Sequence, residues 1–128
     1  MLIRKYDPAK DAEALIQLIK LEGKEWICYW GDDSIGKYKL ALKKSITYVA
    51  YNHNELIGYS RSLEDCGFYI YVCDLLVCKK HRGKGLGRML MECIRDEFPD
   101  YGTFVMSDVD DYYHKLGYKK EGSVFQVS

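Results

Sequence analysis

The residues of this chain best placed to do chemistry lie between Asp74 and Phe98. An apolar Asp-Leu-Leu-Val-Cys at 74–78 is followed by Lys79-Lys80-His81-Arg82-Gly83-Lys84-Gly85-Leu86-Gly87-Arg88 and then by Met-Leu-Met-Glu-Cys-Ile-Arg-Asp-Glu-Phe. The first part has the composition of a buried strand. In the last, Leu86, Met89, Leu90, Cys93, Ile94 and Phe98 recur at helical spacing and predict one apolar face. A strand, a glycine-rich turn and a helix N-terminus together make an anion site. The first helical turn carries unpaired amides, its dipole favours negative charge, and glycine lets the backbone approach a ligand closely.

The spacing narrows the choice of anion. A P-loop needs Lys followed by Ser or Thr after its last glycine, and here Lys84 precedes Gly85 with no such pair. A Gly-x-Gly-x-x-Gly fingerprint beginning at Gly83 needs glycine at 88, where Arg88 stands. Five cysteines, at 28, 66, 73, 78 and 93, include no Cys-x-x-Cys. Their odd number suggests neither a disulfide framework nor a zinc site, and His53, His81 and His114 lack metal-ligand spacing, so no metal is expected. A catalytic cysteine needs a neighbouring base, and the sequence shows none. Cys93 reads as a small core residue, and parity on one strand sends Cys73 and Cys78 to opposite sides.

Those residues need elements to hold them. Leu2 to Tyr6 reads as a strand. Asp7-Pro8 starts a helix, with Ala12, Leu15, Ile16 and Ile19 on its inner face and Gly23 at its end. Lys24 to Asp33 holds Trp26, Tyr29 and Trp30 with few helical features, and Asp33 or Ser34 caps a second helix to about Ser45. Ile46–Tyr51 and Glu55–Leu63 read as strands around an Asn52-His53-Asn54 turn, with Gly58 weakening the second or marking a bulge. Phe68–Cys78 is a third strand. Pro99, Asp100 and Gly102 punctuate the helix that follows the turn. Thr103–Met106 is then a buried strand, parallel to the third because a helix joins them. The length of 128 residues suits one domain over 1–128. A formal net charge of zero counts against nucleic-acid binding. The sequence contains no membrane-length apolar run and no leader-like h-region, which points to the cytoplasm.

Arg82, Gly85 and Gly87 form Arg-x-x-Gly-x-Gly. With the strand before it and the helix after it, this run resembles the acetyl-coenzyme A signature of the GNAT superfamily of N-acetyltransferases. Asp110-Asp111-Tyr112-Tyr113-His114-Lys115-Leu116-Gly117-Tyr118 resembles that family's Phe-Tyr-x-Lys-x-Gly-Phe pattern. The resemblance implies an α/β fold with a mixed, mostly antiparallel sheet of about six strands and helices on both faces. It implies acetyl-coenzyme A as co-substrate and direct transfer of acetyl to an amine of a small molecule or peptide. Leu76, Val77, Cys78, Arg82, Gly83, Lys84, Gly85, Leu86, Gly87, Arg88 and Tyr113 would line the cofactor. Lys79, Lys80, Lys84 and Arg88 are candidates for its ribose phosphate, and the amide of Leu76 or Val77 for the thioester carbonyl. Tyr113 would protonate the departing thiolate, while Tyr112, about 100° round the helix, would not reach it. Asp74 is the first candidate for the base, Asp108 and Glu64 are weaker ones, and a water chain is an alternative. Asp74 equally suits a structural bond to an arginine such as Arg61. Trp26, Tyr29 and Trp30 would form the acceptor wall, and Glu64, Asp65, Asp74 and Asp108 would favour a cationic amine.

The sequence departs from the family pattern where Ser107 and Asp108 stand in place of an asparagine. The alternating Ser123-Val124-Phe125-Gln126-Val127 predicts one terminal strand at a sheet edge, with a possible homodimer formed there. Two other function classes fit the same residues: a non-catalytic acetyl-coenzyme A sensor, and a nucleotide-binding protein with a similar turn.

Overall fold

A computed structural model describes residues 1–128. The elements run β1 (Leu2–Lys5), α1 (Pro8–Glu22), a 3-10 turn (Lys24–Trp26), α2 (Ile27–Trp30), α3 (Ile35–Lys44), β2 (Ile46–Asn52), β3 (Glu55–Glu64) and β4 (Tyr69–Val77). A second 3-10 turn (Lys79–His81), α4 (Leu86–Glu97), β5 (Gly102–Val105) and α5 (Asp110–Lys115) complete the chain. The strands form one sheet in the order β1-β2-β3-β4-β5. Every pair is antiparallel except β4 with β5, which are parallel, as the connecting helix requires.

Two apolar layers lie on opposite faces of this sheet. On one, Leu15, Ile16 and Ile19 of α1 and Tyr38 and Leu42 of α3 pack on Val49, Leu56, Tyr59 and Leu76. On the other, Leu86, Leu90, Met91 and Ile94 of α4 pack on Ala50, Ile57, Ile70 and Val72. Gly58 lets α4 come close: a Cβ there would lie 3.0 Å from the Leu76 carbonyl oxygen and 3.4 Å from a Leu86 methyl. The bulge next to it leaves Ile57 without a partner, since Ala50 pairs with Gly58 and Tyr51 with Leu56.

Several sequence expectations are corrected. The sheet has five strands, not about six. Residues 118–128 form no regular element, and Val124, Phe125 and Val127 are exposed. Alternation in one short segment cannot make a strand unless a neighbour supplies hydrogen bonds. Lys24–Trp30 winds into helical turns, because Trp26, Tyr29 and Trp30 gain more by packing on the α1/α3 layer than by extending. On α4, Met89 is 40% exposed and Met91, at 5%, is buried in its place. The buried face is centred nearer Gly87, a position whose missing side chain carries no hydropathy signal. β5 is only half-buried, because α4 covers one face while Phe104 shares the other with the exposed rings of Tyr69 and Tyr71.

The start of the chain is held by a buried carboxylate. Asp7 caps α1 by accepting from the Ala9 N–H at 3.0 Å, with Pro8 in the first helical position. One turn on, Asp11 is fully buried and accepts a two-pronged bond from Arg4 at 2.7 and 2.8 Å. It also accepts from the Asp7 N–H and the Tyr51 hydroxyl. Burial alone would push the Asp11 carboxyl up, but these bonds and the Arg4 charge outweigh it and hold the group below its ordinary value. A folded value below the unfolded one, about 3.9, means that this stabilisation is complete above that pH. It fades as pH falls through the lower folded value. Asp11→Asn should therefore lose stability at neutral pH. The loss should sit near the low end of the roughly 3–5 kcal/mol for splitting a buried pair, because Arg4 keeps contact with water. The difference from the parent should shrink at about pH 3, as urea unfolding at both pH values would show.

Candidate functional site

The site is built where β4 parts from β5. Their ladder ends at Val72↔Val105, and one further bond runs from the Met106 N–H to the Val72 carbonyl. Beyond it, Asp74–Val77 pair only with β3, and a cleft opens where β4 and the segment leading to α5 no longer bond each other. Cys73 is an extra residue in β4, since Ser62 pairs with Val72 and Arg61 with Asp74. A bulge of this kind reverses the side-chain alternation beyond it. Ile70 and Val72 lie in the α4 layer, whereas Leu76, of the same parity, lies in the α1/α3 layer.

That reversal delivers Asp74 to the α3 side. Its side chain is 3% exposed and pairs with Arg61, Nε 2.5 Å from Oδ2. The Tyr38 hydroxyl donates to Oδ2 at 2.7 Å and the Tyr29 hydroxyl to Oδ1 at 3.0 Å. The Tyr38 and Tyr59 hydroxyls bond each other at 2.7 Å, and Arg61 also reaches Ser45. Burial first, then the Asp74 charge, pushes the Tyr29 phenol up to about 12, and burial, then Tyr59 and Asp74, pushes the Tyr38 phenol up as well. Burial works against the Arg61 charge, but the bond and charge of Asp74 hold it above its ordinary value. Both Asp74 oxygens are thus occupied by three donors, one of them the Arg61 cation, so the structural bond to Arg61 that the sequence offered for Asp74 is present. The other two carboxylate candidates are exposed. Glu64 accepts from the Tyr101 hydroxyl, and Asp108 stands on the loop before α5.

Trp26, Tyr29 and Trp30 all pack against the α1/α3 layer, and two of them are tied by hydrogen bonds. Trp26 packs on Tyr29 with centroids 5.7 Å apart, and Tyr29 on Tyr38 at 4.4 Å. Trp30 donates its indole N–H to the Gly23 carbonyl. Of the three expected acceptor residues, Tyr29 touches the Asp74 network directly.

At the far end of β4 the backbone alternates. The Cys78 N–H donates to the Ile57 carbonyl, and the Leu76 carbonyl faces Gly58. The backbone groups of Leu75 and Val77 therefore point the other way, into the cleft. Of the two expected carbonyl-polarising amides, Val77 is turned toward the cleft and Leu76 toward β3. Leu75 is a residue the sequence reading missed, although strand alternation counted from Val77 would have found it.

The glycine turn has the features of an anion cradle. The N–H groups of Gly83, Lys84, Gly85, Leu86, Gly87 and Arg88 donate to no atom of the protein. Gly83 and Gly85 have φ of 78° and 83°, the left-handed region that glycine enters freely. Arg82 is pinned beneath the turn, its Nε on the Val77 carbonyl at 2.9 Å and its Nη2 on Glu22 at 2.6 Å. Arg88 pairs with Glu92, while Lys79, Lys80 and Lys84 are exposed and take part in none of the ion pairs. A Cβ on Gly87 would lie 2.6 Å from the Tyr112 hydroxyl and 3.6 Å from a Leu75 methyl, so the missing side chain makes room for Tyr112 against the first turn of α4.

Tyr112 thus reaches the first turn of α4 instead of pointing away from the site. Tyr113 packs into the α4 layer and stacks on Tyr118. The two rings meet edge to face, 5.0 Å apart. Burial, followed by the neighbouring Tyr112, Asp108 and Tyr118, pushes the Tyr113 phenol up to about 12.

Comparison with known proteins establishes the family and the fold. The acetyltransferase (GNAT) domain family matches residues 43–120, and the chain belongs to that family. It is 29% identical over 102 residues to ycf52 of Porphyra purpurea, an uncharacterized N-acetyltransferase, covering 72% of this chain and 59% of that one. Over 72 residues it is 31% identical to GCN5-related N-acetyltransferase 2, chloroplastic, of Arabidopsis thaliana, covering 52% and 28%. The chain therefore spans about six-tenths or less of these curated relatives. Its fold matches an aminoglycoside acetyltransferase from an uncultured soil metagenomic sample, with TM-score 0.76, 22% identity and coverage of 99% and 97%. It also matches glucosamine-6-phosphate N-acetyltransferase of Arabidopsis thaliana, with TM-score 0.72, 15% identity and coverage of 99% and 97%. No helix is long and apolar enough to cross a membrane.

The Asp74–Arg61 pair can be tested apart from activity. Arg61→Met alone and Asp74→Asn alone should each cost about 3–5 kcal/mol, because each leaves a buried polar group without its partner. The double variant Arg61→Met, Asp74→Asn should cost less than the sum of the two singles, with a coupling of at least about 1 kcal/mol in denaturant unfolding.

Proposed function

We propose that this chain transfers the acetyl group of acetyl-coenzyme A to an amine by direct attack, with both substrates bound at once. The observation that carries this reading is the run of undonated amides from Gly83 to Arg88 at the mouth of the cleft that β4 opens. These amides and the α4 dipole would hold the pyrophosphate, and exposed Lys79, Lys80 and Lys84 its further phosphate. The Val77 and Leu75 backbones would line the pantetheine arm along β4. Bound there, the cofactor supplies an acetyl thioester whose carbonyl needs hydrogen-bond donors as charge grows on its oxygen.

Tyr113 serves as the donor to the leaving sulfur. A phenol near 12 keeps its proton at neutral pH. It is a weaker acid than a thiol of pKa about 8.5, so it stabilises the thiolate by hydrogen bonding more than by complete proton transfer. Asp74 positions Tyr29 at the acceptor wall and balances Arg61, and water removes the proton of the amine. With Asp74 neutralised by Arg61, the acceptor wall presents rings and hydroxyls rather than net negative charge. This weakens the expectation of a strongly cationic acceptor.

Gly87→Ala gives the cleanest test of the cofactor site. Gly85 occupies the left-handed region, so any side chain there strains the turn itself. Gly87 is helical, so alanine there gains up to about 1 kcal/mol of helix propensity, offset by the displacement of the Tyr112 hydroxyl, which lies 2.6 Å from the new Cβ; circular dichroism serves as the fold control. Titration calorimetry should show acetyl-coenzyme A affinity falling about tenfold or more, about 1.4 kcal/mol. Unchanged affinity would remove the turn from the cofactor site.

The two tyrosines separate by kinetics. Tyr113→Phe should lower kcat by about a hundredfold, the low end for an acid catalyst, with KM for acetyl-coenzyme A nearly unchanged. Tyr112→Phe should raise that KM and leave kcat largely intact. In the parent chain kcat should not fall through tyrosine ionisation below about pH 10, since the Tyr113 value lies near 12. No turnover with a broad panel of amines, alongside tight cofactor binding, would favour the sensor instead.

A further inference from the structure

No cysteine has a visible base in the sequence, but the fold supplies one. Cys78 follows β4 and opens the 3-10 turn Lys79–His81, where the His81 N–H donates to the Cys78 carbonyl at 3.0 Å. In such a turn side chains three residues apart eclipse, and His81 Nδ1 stands 3.1 Å from Cys78 Sγ. On the other side of the ring, Nε2 lies 3.4 Å from the side-chain amide of Asn52, the last residue of β2. When Nδ1 accepts from the thiol, Nε2 carries the ring hydrogen and Asn52 presents its amide oxygen. A half-turn of the amide puts that oxygen in the same place. Thiol, imidazole and amide thus stand in line, all three half-buried. Cys28 and Cys66 are more exposed, yet their thiols make no hydrogen bond.

We propose that Cys78 is a nucleophilic thiol and a modification site for small anionic disulfides, with His81 as its base and Asn52 as the residue that orients the imidazole. The thiol passes its proton to Nδ1, and the thiolate attacks one sulfur of the disulfide. The S–S bond breaks as a Cys78–S–S–R bond forms. The other half leaves as a thiolate and takes up the proton, so Cys78 is oxidised as that half is reduced. Lys79, Lys80 and Lys84, exposed in the same loop and outside the chain's ion pairs, select disulfides that carry negative charge. The thiol–imidazole step itself needs nothing bound at the glycine turn, but the lysines are those assigned above to the cofactor's further phosphate, so the charge selection is tested in the cofactor-free chain.

The full chain, treated with oxidised glutathione and mapped by peptide mass spectrometry, tests the proposal. Cys78 should form its mixed disulfide about tenfold or more faster than Cys28 and Cys66. His81→Gln should bring the Cys78 rate down to theirs, and Cys78→Ser should abolish the fast phase while leaving the other sites unchanged. Comparable rates at all sites in the parent chain, or an undiminished Cys78 rate in His81→Gln, would overturn it. Should His81→Gln lose its fold by circular dichroism, Asn52→Ala keeps the base but frees the ring. It must then slow Cys78 measurably, and no slowing would equally overturn the proposal. Neutral hydroxyethyl disulfide should react more slowly than oxidised glutathione with the same His81 dependence, and equal rates would refute the charge selection.

Discussion

One extra residue in a strand decides the character of this molecule. Without Cys73 in its unpaired position, Asp74 would share a face with Ile70 and Val72 and lie against α4, on the opposite side of the sheet from Tyr38 and Tyr59. The bulge sends it instead to Arg61, Tyr29 and Tyr38. It also coincides with the end of the β4–β5 ladder, so the strand is re-aimed at the point where its neighbour departs. A local disruption of pairing therefore produces both a buried polar network on one side of β4 and an open row of backbone groups along its edge.

Two buried carboxylates on the α1/α3 side of the sheet are accommodated in the same way. Asp11 and Asp74 are each held by an arginine and by tyrosine hydroxyls, and each ties together elements distant in sequence. Such a pair contributes little net stability compared with a hydrophobic substitute, but a half-pair is costly. Their effect is to fix register: β1 against α1 and β2 in one case, β3 and β4 against α2 and α3 in the other. Around Asp74 the polar groups of Tyr29, Tyr38, Tyr59 and Arg61 bond one another or the carboxylate in a connected network.

The two ends of the turn after β4 have different chemistry. Its later part leaves amides without acceptors and uses glycine where a side chain would intrude, which suits a phosphate. Its first part folds tightly enough to stack His81 on Cys78. Arg82 separates them, bonded back to Val77 and across to Glu22, so the loop is anchored at its centre and has distinct properties on either side.

The sequence by itself determined most elements and the location of the anion turn. Hydropathy period, caps and glycine spacing are local properties, and Asp7-Pro8, the β2–β3 turn and Arg82-x-x-Gly85-x-Gly87 carry them within a few residues. It also determined that β5 would run parallel to β4, because a helix must connect them. Only the tertiary structure decided which face Asp74 occupies, since a bulge has no period of its own and is set by the pairing partner. The same holds for Met91 in place of Met89, and for Tyr112 beside Gly87, where the approach of two helices chose the face. Cys78, His81 and Asn52 carried no shared signal in one dimension. Two are three residues apart in a turn whose pitch the sequence did not declare, and the third arrives from the end of another strand. Contacts between distant segments depend on register and packing angle, and these are fixed only when the whole sheet has closed on its two layers.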